Sequence, residues 1–68
     1  MKILLNNKQE EFEGIDEMNI TQLLQLKNFT FKMLVVRINN KGIPKELYEK
    51  STIKDGDEVL VLHLISGG

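Results

Sequence analysis

At 68 residues the chain has room for one domain and sits near the lower limit at which a hydrophobic core holds a fold unaided. Hydrophobic residues make up 41%, nine Lys plus Arg stand against ten Asp plus Glu, and the net charge is −1, so neither disorder nor general polyanion binding is indicated. There is no cysteine, which excludes disulfides, thiolate metal sites and a cysteine nucleophile, and leaves the fold to packing alone.

The first apolar run, Ile3 to Leu5, is too short for a signal-peptide core or a membrane span, and a cytoplasmic protein is expected. Lys2 to Asn6 reads as a first strand. It is followed by the polar turn Asn6-Asn7-Lys8, after which Gln9 to Phe12 can pair back as a second strand. Asn19 is a good N-cap, and Gln22 stands three positions later in capping-box spacing. A helix should start there, with Ile20, Leu23, Leu24 and Lys27 on one narrow stripe.

Thr30 and Phe31 do not favour continuing the helix, and a third strand is expected over Met33 to Asn39, ended by the turn Asn39-Asn40-Lys41-Gly42. Ile43-Pro44 then suits only an edge strand or an extended segment, because proline lacks the amide donor that a central strand needs. Lys45 to Lys50 has room for a single helical turn. Asp55-Gly56-Asp57 is a strong turn signal, and Glu58 to Ile65 after it is the most convincing strand in the chain. That strand is apolar on both alternate sets, Val59 and Val61 against Leu60 and Leu62, as expected of a central strand. The order as a whole implies an α+β fold with one helix over one sheet.

One helix covers one face. If Ile3 and Leu5 face the helix, Leu4 points the other way, and the same alternation places Val35, Arg37, Leu60 and Leu62 on that opposite, uncovered face. Such an apolar patch suits partner binding, unless another register or a second copy buries it. The sole histidine, His63, offers either a charge near the chain end or simply a half-exposed strand residue. Glu10, Glu11, Glu13, Asp16 and Glu17 form a docking surface for a basic partner, a cation-binding group or, the better reading, a solvated loop and edge. Tyr48, Phe29 and Phe31 have no basic stripe beside them, so packing is a better reading than nucleic-acid stacking. No glycine-rich phosphate loop, paired-histidine spacing or serine elbow occurs, and neither a metal site nor a stand-alone enzyme is expected.

Met1-Lys2-Ile3 with Asn6, Ile38-Asn39, Ile43-Pro44, Lys54-Asp55-Gly56-Asp57 and the final Gly67-Gly68 together resemble the ThiS family of thiamine-biosynthesis sulfur carriers, members of the ubiquitin-like β-grasp superfamily. The likeness spans essentially all 68 positions. It departs after Pro44, where the family often has arginine and then tryptophan and this chain has Lys45, Glu46, Leu47 and Tyr48, and at Ser66 before the glycines.

The resemblance implies a β-grasp domain over residues 1–65, a mixed sheet of four to five strands on one helix, and a flexible tail over 66–68. It also implies that a partner adenylating enzyme uses ATP to activate the carboxylate of Gly68, after which sulfur replaces AMP to leave a thiocarboxylate. Gly67 and Gly68 would be required because a backbone without Cβ enters a narrow enzyme channel; Ser66 would join Leu4, Val35, Arg37, Leu60 and Leu62 in binding partners. Implied partners are the adenylating enzyme, a sulfur donor system and a thiazole synthase, with no bound cofactor, nucleic acid or membrane, and a monomer when free. On composition alone the tail reads equally well as a frayed terminus. Two alternatives remain at this level: the small subunit of molybdopterin synthase, and a β-grasp binding module that ignores its C-terminus.

Overall fold

The longest strand is the middle one. A computed structural model of the protein describes residues 1–30 and 33–64, and in it a five-stranded sheet has Glu58–His63 (β7) at its centre. Lys2–Leu5 (β1) lies parallel to β7 on one side, and Leu34–Ile38 (β4) lies antiparallel on the other. Lys8–Glu11 (β2) and Lys41–Ile43 (β5) form the two edges, both antiparallel to their neighbours. The sheet is therefore mixed, with order β2-β1-β7-β4-β5. Ile20–Leu26 (α1) is the one α-helix among the described residues.

Both hairpins turn on asparagine pairs. Leu5 pairs with Lys8 and Ile38 with Lys41, so each loop is two residues long, Asn6-Asn7 and Asn39-Asn40. All four asparagines have positive φ, between 51° and 68°, as a two-residue loop matched to the strand twist requires, and asparagine tolerates that region better than most residues. The strands expected to include Asn6 and Asn39 thus stop one residue earlier. Gly42, expected in the second turn, is a strand residue opposite Arg37.

The helix begins as its capping box dictates. Asn19 Oδ1 accepts from the Gln22 amide at 2.8 Å and Gln22 Oε1 accepts from the Asn19 amide at 2.9 Å. It ends in a Schellman motif: Asn28, at φ 58°, donates to the Gln25 carbonyl, and Phe29 donates to the Leu24 carbonyl. Seven residues are too few for an independent helix, so packing holds it. Ile20 and Leu23 are fully buried against Ile3, Leu5, Val36, Val59 and Val61 of the sheet, and Leu24 is half-buried beside them.

A second, two-stranded sheet had no counterpart in the sequence reading. Glu17–Asn19 (β3) pairs antiparallel with Thr52–Lys54 (β6), and its middle residues, Met18 and Ile53, close the core from the side. Three-residue strands carry too little pattern to stand out. Between β5 and β6, Pro44 leads into the short 3₁₀ turn Lys45–Leu47, which answers to the single turn expected there. The Tyr48 carbonyl then accepts the Ile20 amide at 3.0 Å and joins this segment to the start of the helix.

The turns that hold β7 are hydrogen-bonded to one another. The Asp57 carboxylate accepts the Lys54 amide at 2.8 Å and the Asn39 side chain at 3.1 Å, while Asn39 Oδ1 accepts the Glu58 amide at 2.9 Å. Asp55 Oδ1 accepts the Lys2 amide at 2.6 Å. Where β1 turns away, Asn6 replaces it: Oδ1 accepts the Val61 amide at 2.8 Å.

Replacing Asn6 by Ala removes that acceptor and a residue suited to positive φ; a loss of about 1–3 kcal/mol is expected in urea unfolding. Asn6→Gly, which keeps the backbone freedom and loses only the side chain, should recover part of it. Leu23→Ala, by contrast, should cost about 2–5 kcal/mol through the cavity it leaves.

Candidate partner-docking face

With α1 on one side, the sheet has one face uncovered. Register decides what stands on it. Val35 pairs with Leu62 and Arg37 with Leu60 across β4 and β7, while Leu4 pairs with Glu58 across β1 and β7, so these six side chains share the open face. Leu4 is 36% and Leu62 44% exposed, Val35 and Leu60 are half-buried, and Arg37 and Glu58 are exposed. Five of the six are the residues that alternation singled out. Glu58 was missed, although the same two-residue period that selects Leu60 and Leu62 selects it too.

The face is not flat. Leu4, Leu60, Arg37, Glu58, Asn7 and Asn40 border an open groove of about 210 Å³. Opposite Arg37 on the edge strand stands Gly42, where a Cβ would meet nothing within 4 Å, so no side chain from the edge strand covers this part of the face. The Arg37 side chain makes no ion pair or hydrogen bond among the described residues.

Ser66, Gly67 and Gly68, the expected tail, lie outside the described residues, as do Ile65, the expected end of the last strand, and Phe31. The last described residue, Leu64, still donates to the Met33 carbonyl at 3.0 Å, so hydrogen bonding between the two strands continues one residue past His63. Met33 and Leu64 are 51% and 45% exposed there.

Glu10 pairs with Lys27 at 2.9 Å, a surface contact of at most about 1 kcal/mol, while Glu11, Glu13, Asp16 and Glu17 are exposed. No cluster among the described residues could hold a metal ion, and no helix among them is long and apolar enough to cross a membrane. His63 is exposed and stands opposite Leu34. Phe29 and Tyr48 pack against the core.

Tyr48 also borders a groove of about 460 Å³ with Leu24, Phe29, Met33, Leu34 and Leu64. Burial raises the pKa of its phenol above 10.0, and the nearby Glu46 carboxylate adds to the effect. The fold thus favours the neutral phenol. That contribution is fully present below pH 10 and is lost as pH rises through the folded value. Tyr48 is the only tyrosine and there is no tryptophan, so phenolate absorbance reports it alone. The ionisation midpoint should lie higher in the folded protein than in urea, and Glu46→Gln should lower the folded midpoint by the smaller, electrostatic part.

Residues 3–68 match the ThiS family. The chain superimposes on the crystal structure of a thiamine biosynthesis protein (ThiS) from Geobacter metallireducens with a TM-score of 0.88 and 32% identity, covering 100% of both chains. It also matches the solution structure of a thiamine biosynthesis protein from the same organism, with a TM-score of 0.78, 32% identity, and coverage of 100% of this chain and 88% of that one. Family match, β-grasp topology and identity along the whole length agree: the chain belongs to the ThiS family.

Proposed function

We propose that the protein is a sulfur carrier of thiamine biosynthesis, a co-substrate of partner enzymes rather than a catalyst. Family membership carries this reading, and the solved relative bears a thiamine-biosynthesis name in both its crystal and its solution structure. A partner enzyme joins the Gly68 carboxylate to the AMP of ATP, releasing pyrophosphate, and a sulfur nucleophile then displaces AMP to leave a thiocarboxylate. A free carboxylate is a poor electrophile, so adenylation must come first. The carrier needs no cysteine for this and has none. It acts in the cytoplasm, as a monomer when free, with ATP and the sulfur donor system brought by its partners.

The open face supplies the docking surface. Exposed leucines beside a lone arginine suit a protein partner better than solvent, and the adenylating enzyme and the thiazole synthase can use the face in turn. The mount for the tail also supports the reading. β4 pairs with β7 as far as His63, and the Leu64 amide still donates to the Met33 carbonyl, so a chain leaving β7 starts from a hydrogen-bonded strand. Four residues beyond Leu64 span at most about 14 Å when extended, enough to enter a channel while the domain stays outside it.

Intact-protein mass spectrometry after incubation with ATP, an adenylating enzyme and a sulfide source should show a gain of about 16 Da, one oxygen replaced by sulfur, localised to Gly68. Deleting Gly68 should abolish the gain and leave the urea midpoint unchanged. An unmodified wild-type chain would shift the reading to a binding module that acts through its sheet. Leu62→Asp should raise the KM for the carrier roughly tenfold or more, as loss of a contact worth about 1–2 kcal/mol would.

A further inference from the structure

Docking on the open face covers more than leucines. Arg37 and Glu58 stand on the two strands that form its centre, opposite in charge and separated by the register: Arg37 faces Leu60, and Glu58 is two residues before Leu60 on the same side of β7. Diagonal positions of this kind are about 7–8 Å apart at Cα, close enough for long side chains to meet. They form no ion pair in this structure. Each borders the same groove from its own strand, with Leu4 and Leu60 beside them.

A partner that seats on Leu4, Leu60 and Leu62 takes both charges out of water. An uncompensated charge in such an interface is costly, so the partner must answer each with its opposite, or the two must close on one another. Arg37 is exposed and forms no ion pair among the described residues, which leaves it accessible to an incoming carboxylate and favours the first course. Arginine is also the cation best shaped for bidentate carboxylate contact. Opposite charges at two points fix the rotation of a docked surface, which an apolar patch alone leaves free.

We infer that Arg37 and Glu58 are a pair of orienting charges, read by an enzyme partner whose docking surface carries a carboxylate over Arg37 and a cation over Glu58. The inference rests on the sulfur-carrier reading and names the chemistry of the surface that reading requires. Arg37 faces Leu60 in the middle of β7, four strand residues before Leu64 and about 13 Å along the strand, among the docking residues of the open face. Its effect therefore lies on binding and not on the chemical step.

The test uses Arg37→Glu, Glu58→Arg and the double reversal with the adenylating enzyme that produces the mass gain, reading KM and kcat over a range of salt. Each single reversal should raise KM at least about tenfold at low salt with kcat unchanged, and added salt should narrow the difference. The double reversal, which keeps the net charge and the pair but inverts its direction, should bind no better than the weaker single variant. Recovery of wild-type KM in the double variant would show that the two charges serve only each other and overturn the inference; so would single variants with unchanged KM. A wild-type dimer in sedimentation that Arg37→Glu dissociates would assign the face to a second copy and overturn it as well. If the wild-type chain gains no mass, the sulfur-carrier reading itself fails and the inference goes with it. An unchanged Tyr48 ionisation midpoint in each variant confirms that the fold is intact.

Discussion

The seating of β7 between β1 and β4 is the constraint on which the rest depends. A strand with neighbours on both edges has nearly all its amides and carbonyls committed, and where a neighbour runs out a side chain must take over. Asn6 does this for the Val61 amide after β1 turns away, and Asn39 does it for the Glu58 amide at the other end. Asp57 ties the turn before β7 to the turn after β4. Asn6, Asn39 and Asp57 were among the residues that carried the family resemblance, and their work is structural: they close the ladder around a strand that has no spare length.

That seating separates two apolar surfaces of one strand. Val59 and Val61 enter the core with Ile3, Leu5, Val36, Ile20 and Leu23, whereas Leu60 and Leu62 alternate to the other face, which no helix among the described residues covers. A single short helix gives the covered side only a small core. That core is extended by Met18 and Ile53 from the two-stranded sheet. In the proposed function the uncovered face becomes the surface on which partner enzymes dock.

Much of this was legible from local chemistry. The capping box at Asn19, the asparagine pairs at the hairpins, the Asp55-Gly56-Asp57 turn and the two-sided apolar run of β7 each act within a few residues, so the chain order alone revealed them. Helix C-termination at Asn28 was less visible, because asparagine in a helix end becomes a signal only when its left-handed conformation is known. β3 and β6 were not visible at all: each has three residues, and what makes them strands is the other, more than thirty positions away in the chain.

The sequence by itself determined the order of the helix and the strands of the five-stranded sheet, the alternation that puts Leu4, Val35, Arg37, Leu60 and Leu62 on one side, and the likeness to the ThiS family, since these are periodic or positional properties of the chain. Only the tertiary structure decided that Leu4 stands beside Glu58, that Gly42 lies opposite Arg37, and that Asn6 and Asp57 hold β7 in place. Those are relations between strands. Their register is set by long-range hydrogen bonds and by the packing of one helix against one side of the sheet, and neither is written in any short stretch of residues.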